Sequence, residues 1–134
     1  MYNNLYCKMF IDTDLIYEEL FALVLKFIGG KKQAVTYIST QWCDISVQKN
    51  REYDAERYLL DPKNFLYWKY YLDIEPNDIE EDVYIKKVSN LLGYIKEHCI
   101  DAIAACDFEN ELTTNSNVQN QKTKERDEAD ERNE

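Results

Sequence analysis

"FLYWKYYLDIEP", residues 65–76, carries two patterns that belong on opposite sides of one strand. Leu66, Trp68, Tyr70, Leu72 and Ile74 alternate with Phe65, Tyr67, Lys69, Tyr71, Asp73 and Glu75, the period of two that a half-buried strand requires. The first set is an apolar face for a core. The second puts large rings beside carboxylates, a combination that calls for a cover or a binding partner. Pro76 and Asn77 end the run.

Working outward, residues 5–12 alternate in the same way, with Leu5, Cys7, Met9 and Ile11 opposed to Tyr6, Lys8, Phe10 and Asp12. Ile16, Leu20, Leu23, Val24, Phe27 and Ile28 then recur at helical spacing, with Thr13 or Asp14 as N-cap and Gly29-Gly30 as the stop. Residues 33–39 and 42–48 read as two short strands joined at Thr40-Gln41, a hairpin without the glycine that tight turns usually contain. Residues 49–64 are a charged connection with a helical turn over 54–60. After the quoted strand, Tyr84, Val88, Leu91, Leu92, Ile95 and Cys99 mark a second amphipathic helix over 79–98. A last strand, 100–108, sets Ile100, Ala102, Ala104, Cys106 and Phe108 against Asp101, Ile103, Ala105, Asp107 and Glu109.

The order β-α-β-β-β-α-β predicts an α+β fold, a ferredoxin-like two-layer sandwich with an about five-stranded, mainly antiparallel sheet and two helices on one face. Residues 1–112 form the single domain. Residues 113–134 hold one aliphatic of any size, Val118, and are expected to be a disordered acidic C-terminal tail. The open sheet face would gather Tyr6, Lys8, Phe10, Asp12, Asp44, Ser46, Tyr67, Lys69, Tyr71, Asp73, Glu75, Asp107 and Glu109.

Composition narrows the functions this face can have. The chain has 134 residues, net charge −10 and 11 tyrosines. Of its 16 basic and 26 acidic side chains, 4 and 6 fall in 113–134, so the domain itself carries −8. An acidic domain repels phosphate backbones and anionic lipid and attracts basic proteins, so no nucleic acid and no membrane are expected as partners. Cys7, Cys43, Cys99 and Cys106 form no CxxC pair, and the N-terminus has no secretory leader, which together point to free thiols in a cytoplasmic protein. No apolar run approaches the ~20 residues of a membrane helix.

Candidate chemistry is sparse. Asp12, Asp73, Glu75, Asp107 and Glu109 lie on neighbouring predicted strands, and hard cations take several oxygens, so a divalent-metal phosphoryl-transfer enzyme is one alternative. A structural subunit whose sheet is covered by a dimer mate is another. His98, the one histidine, falls at a helix C-terminus and suits the last carbonyls there, although a dyad with Cys106 is conceivable. No P-loop, GxGxxG or HExxH occurs, and no cofactor is called for. Tyrosines set among charges are a common composition for protein contact, because the ring offers area at small entropy cost and the hydroxyl adds specificity.

"FLYWKYYLDIEP", "VSNLL" at 88–92 and "AIAACDFENEL" at 102–112 together resemble small bacterial immunity proteins encoded beside polymorphic toxins, as in contact-dependent growth inhibition. The resemblance covers residues 5–112 and is sharpest at Tyr70-Tyr71-Leu72, Glu75-Pro76 and Ala105-Cys106-Asp107-Phe108-Glu109. It implies an antitoxin that neutralises a cognate toxin C-terminal domain, often a basic nuclease, by occluding its active site or substrate surface. It implies no catalytic residue. The expected contacts are Tyr67, Lys69, Tyr71, Asp73 and Asp44 on the sheet with Asp54 and Glu56 from the connection, in a monomer or weak homodimer.

Overall fold

The strand expected over 65–76 begins later, at Tyr70. The computed structural model describes residues 2–34 and 36–112; the predicted tail 113–134 lies outside them. The elements are β1 Cys7–Asp12, α1 Tyr17–Ile28, β2 Lys31–Lys32, β3 Tyr37–Ser39, β4 Cys43–Lys49, α2 Ala55–Leu60, β5 Tyr70–Pro76, α3 Glu81–Glu97 and β6 Asp101–Ala105, with 3-10 turns at Phe65–Tyr67 and Glu109–Glu111. They make an α+β fold around one open antiparallel sheet, order β2-β3-β4-β5-β1-β6. Among the described residues the sheet has six strands where about five were expected, and beside the two expected long helices stands the short α2, at the place of the helical turn expected over 54–60.

One face is the main core. Cys7, Met9 and Ile11 of β1, Ile45 and Val47 of β4, Leu72 and Ile74 of β5, and Ala102 and Ala104 of β6 pack with Leu20, Phe21 and Val24 of α1 and with Tyr84, Val88, Leu91, Leu92 and Ile95 of α3. Both long helices therefore share one side of the sheet, and Phe27 of α1 stacks on Tyr94 of α3 at 4.3 Å. Tyr70 and Tyr84 are buried and Tyr17 half-buried on this side, and all three place their hydroxyls on backbone carbonyls: Tyr17 on Val47 (2.6 Å), Tyr70 on Leu15 (2.9 Å) and Tyr84 on Leu5 (2.7 Å). A buried phenol needs such a partner, so part of the tyrosine content is architectural.

Local chemistry explains where element boundaries depart from the sequence reading. Helix α1 starts at Tyr17, with Ile16 as N-cap, because the Thr13 hydroxyl accepts the Leu15 N–H (3.1 Å) in a turn and Glu19 reaches back to the Ile16 N–H (3.2 Å). Gly29 closes it at φ 68, the left-handed conformation a glycine supplies without strain. At the β3–β4 turn, the Thr40 hydroxyl accepts the N–H groups of Trp42 (3.1 Å) and Cys43 (2.9 Å), so a side chain does the work glycine does elsewhere. The last strand stops at Ala105, and the chain turns through Cys106 so that Phe108 enters the core beside Tyr84 (5.8 Å).

The segment 50–69 departs furthest from expectation. The helical turn expected over 54–60 is present as α2, but the connection that carries it folds over the second face as a flap. Asn64 accepts the Leu66 N–H (3.2 Å) and starts the 3-10 turn, which resets the alternation before β5. Leu66, expected in the core, is exposed, and Trp68 is buried on the opposite side of the sheet from Tyr70. There it packs with Phe10 and Ile103, flanked by Tyr58, Phe65, Tyr71 and Ala105. Its indole N–H donates to the Pro62 carbonyl (2.8 Å). Asn50 fastens the base of the flap, with its amide nitrogen donating to the carbonyls of Leu66 (2.9 Å) and Trp68 (2.7 Å).

Candidate protein-binding face

The second face of the sheet is ordered by strand register into rows. Tyr37, Ser46, Asp73, Lys8 and Ala105 stand opposite one another across five strands. A neighbouring row holds Ser39, Asp44 and Glu75. On the other side lie Gln48, Tyr71, Phe10 and Ile103, and then Asp12 and Asp101. The flap packs on Phe10, Ile103 and Tyr71 and reaches Asp12 through the Tyr58 hydroxyl, while Asp101 stays exposed. The first two rows carry half-exposed or exposed polar and aromatic side chains.

Tyrosine–carboxylate pairs hold the accessible half together. The Asp44 carboxylate takes hydrogen bonds from the Tyr37 hydroxyl, from Ser39 (2.8 Å) and from the Asn77 amide (3.0 Å). These donors, Tyr37 first, hold its carboxyl below the usual range, so it stays charged and oriented. The Tyr6 hydroxyl donates to Asp73. Burial, followed by that bond, raises the Tyr6 phenol above its ordinary value. Lys8 sits across from Asp73 in register, with its ammonium 4.2 Å from the Tyr71 ring centroid and 5.2 Å from that of Phe10. The result is a fixed array of two carboxylates, Asp44 and Asp73, beside exposed Glu75, with one lysine drawn toward the flap.

The flap contains the remaining expected contacts, with different local duties. Asp54 is the N-cap of α2 and accepts the N–H groups of Glu56 (2.9 Å) and Arg57 (3.4 Å). Glu56 is exposed on the first turn of α2. Tyr67 is not on the sheet: it lies in the 3-10 turn, and its hydroxyl accepts a hydrogen bond from the Arg57 guanidinium (2.6 Å). Tyr71 is half-buried against Phe10, and Lys69 lies under the flap base with its ammonium 5.8 Å from the Tyr53 ring. Leu59 and Leu60 of α2 are 77% and 86% exposed. The seven residues expected to form one surface thus fall into a sheet group, Asp44 and Asp73, and a flap group, Tyr67, Asp54 and Glu56, with Tyr71 and Lys69 at the seam.

The five carboxylates weighed as a metal set are not brought together. Asp12 stands opposite Asp101 at one end of β1, whereas Glu75 stands opposite Asp44 toward the other end of β5. Asp107 and Glu109 leave the sheet, because β6 ends before them. Among the described residues, no group of three or more His, Cys, Asp or Glu is placed to hold a metal ion. Asp12 instead lines a hollow of about 620 Å³ with Asp14, Asp101, Tyr58, His98 and Cys99. Its carboxyl is raised by burial, which Asp101 and Asp14 reinforce and the Tyr58 hydroxyl (3.0 Å) opposes. His98 Nδ1 meets the Tyr94 carbonyl at 2.8 Å, the helix-end role its position predicts.

Sequence reasoning missed Tyr37, Ser39, Asn77, Tyr58 and Asn50. The first two were legible, since they flank Ile38 at a spacing of two; the others depend on contacts between distant segments. No protein-family model matches the chain, and neither a curated protein nor a solved structure does. The described residues contain no helix long and apolar enough to cross a membrane.

Proposed function

We propose that this chain is an immunity protein, an antitoxin that binds and blocks the C-terminal domain of a cognate toxin. The observation that carries the reading is the accessible half of the second sheet face, where Asp44 and Asp73 are fixed by tyrosine hydroxyls beside Glu75 and face one lysine. Preorganised carboxylates lose little entropy on binding, and tyrosines supply contact area, so the face suits a basic protein surface. The domain charge of −8 would speed encounter with such a partner. The flap adds the exposed Leu59 and Leu60 next to Glu56.

In this reading the protein is not an enzyme, needs no cofactor, works in the cytoplasm, and is a monomer or weak homodimer before it meets the toxin. The strand order supports a relation to the ferredoxin-like sandwich: β1, α1, β4, β5, α3 and β6 carry the β-α-β-β-α-β path, and β2–β3 is an added hairpin at the edge.

The test is co-expression of the untagged chain with the C-terminal domain encoded by the adjacent reading frame, scoring co-purification and rescue of growth. A complex with rescue is expected, and reversal of Asp44 and Asp73 to lysine should weaken it by at least ~100-fold. Absence of both complex and rescue overturns the reading. A stable homodimer that Tyr71→Asp dissociates, with no toxin binding, would instead favour a self-covering structural subunit.

A further inference from the structure

The β1–β6 register pairs Lys8 with Ala105. Cys7 precedes Lys8 and Cys106 follows Ala105, just past the end of the β1–β6 ladder, and the Cys7 thiol donates a hydrogen bond to that of Cys106. The last ladder pair, Lys8 and Ala105, holds the two backbones at the ~4.5–5.5 Å of an antiparallel pair, and a disulfide accepts Cα atoms ~4.4–6.8 Å apart, so the adjoining Cys7 and Cys106 can be bridged with little movement. We infer that Cys7 and Cys106 form a dithiol site that a small oxidised thiol, such as glutathione disulfide, converts into a cross-strand disulfide.

The two sulfurs are suited to unequal roles. Cys106 is half-buried and within reach of solvent, while Cys7 is buried. Hydrogen bonds from the Cys7 thiol and from the Phe108 N–H hold the Cys106 thiol below its ordinary value, although burial, Glu109 and Asp107 oppose them. Cys7 is driven the other way, first by its bond to Cys106 and then by burial. Cys106 therefore attacks and Cys7 resolves. The Cys106 thiolate displaces one glutathione thiolate from the oxidant and forms a mixed disulfide. Cys7 then attacks Cys106 Sγ, its proton passing to the second departing glutathione sulfur. The pair loses two electrons and two protons, and one glutathione disulfide becomes two thiols.

The other cysteines do not compete. Cys43 lies in the main core with its sulfur 3.6 Å from the Thr40 hydroxyl, and Cys99 is exposed beyond the opposite end of β6. The bond would fasten the edge strand β6 to β1 and close a loop of nearly the whole domain, which should raise Tm by on the order of 10 °C.

The experiment uses the full chain carrying Cys99→Ser, treated with glutathione disulfide, unfolded in N-ethylmaleimide and mapped by peptide mass. The expected product joins the Cys7 and Cys106 peptides with loss of two hydrogens, raises Tm, and is reversed by dithiothreitol. Cys106→Ser, at a half-exposed position, should fold and show no oxidant-dependent Tm change. Full alkylation of both thiols, or a persistent glutathione adduct on Cys106, overturns the proposal. The result is independent of toxin binding.

Discussion

Replacing Asn50 with alanine should loosen the flap while leaving the main core in place. Asn50 is the one buried polar residue among those described, at 9% exposure, and its side chain makes three bonds: Nδ2 to the carbonyls of Leu66 and Trp68, and Oδ1 from the Glu52 N–H (3.1 Å). The three losses differ in weight. The bond to Trp68 is buried, so its carbonyl would be stranded at a penalty of ~1–3 kcal/mol, whereas the groups on Leu66 and Glu52 lie nearer water and lose ~0.5 kcal/mol each. The sum is about 2–4 kcal/mol, or a Tm lower by ~10 °C in a domain of this size. Asn50→Asp should be at least as damaging, because a carboxylate would then point at two carbonyl oxygens.

The two tryptophans separate the flap from the core. Trp42 packs beside Tyr84 at 5.9 Å in the main core, and Trp68 sits under the flap. In Trp42→Phe, emission reports Trp68 alone; in Trp68→Phe, it reports Trp42. Adding Asn50→Ala should shift Trp68 emission to the red at a urea concentration below the Trp42 transition, since a small satellite cluster opens before a large core. Coincident transitions with a stability loss below ~0.5 kcal/mol would refute the reasoning.

Four further single substitutions have definite expected outcomes. Asp12 has a raised carboxyl, so its charged form weakens the native state progressively as pH climbs through the interval above the unfolded value of ~3.9; Asp12→Asn should raise Tm by ~1–3 °C at pH 7 by calorimetry, with no gain in acid. Asp44 has a lowered carboxyl, so its stabilisation is present above the unfolded value and disappears as pH falls through the folded one; Asp44→Ala should lower Tm by ~1–3 °C at pH 7 and match the parent in acid. Gly30→Ala would bring a Cβ to 2.5 Å from the Ser39 carbonyl oxygen and should lose ~1–3 kcal/mol, whereas Gly93→Ala, with nothing within 4 Å in α3, should gain up to ~1 kcal/mol in urea denaturation.

The α+β class, both long helices and most strands were legible because their signals are periodic and local. Ile16 through Ile28 and Tyr84 through Ile95 each form an apolar stripe; the sheet buries Leu20 and Val24 of the first and Tyr84, Val88, Leu91, Leu92 and Ile95 of the second, while Ile16 and Phe27 stay exposed. The split of "FLYWKYYLDIEP" was not legible, because a 3-10 turn preserves the look of alternation while changing which side each residue faces. Leu66 and Trp68 follow the pattern and leave the core all the same. The flap's docking was invisible for a related reason: beside the local Asn64 turn, it rests on the Pro62 carbonyl and on Asn50, bonded 6, 16 and 18 residues away. Such bonds leave no period in a sequence.

The flap also changes what the mixture of rings and carboxylates in residues 65–76 means. Phe10, Ile103 and Trp68 on the second face are covered by the chain itself, so the aromatic content there is largely spent on a second small core. The charges are not covered in the same way: Asp44, Asp73 and Glu75 remain accessible on the strands away from the flap. A partner approaching this side therefore meets a rigid carboxylate array on the sheet and a separate, lightly anchored flap bearing exposed leucines. The two should contribute differently to the proposed complex. Charge reversal on the sheet should reduce the association rate and its salt dependence, because steering acts before contact. Leu59→Ser and Leu60→Ser should act on dissociation, because apolar burial is realised only once the surfaces meet. Stopped-flow binding at two salt concentrations distinguishes these effects, and equal changes in both rates from both sets would show that sheet and flap form one contact after all.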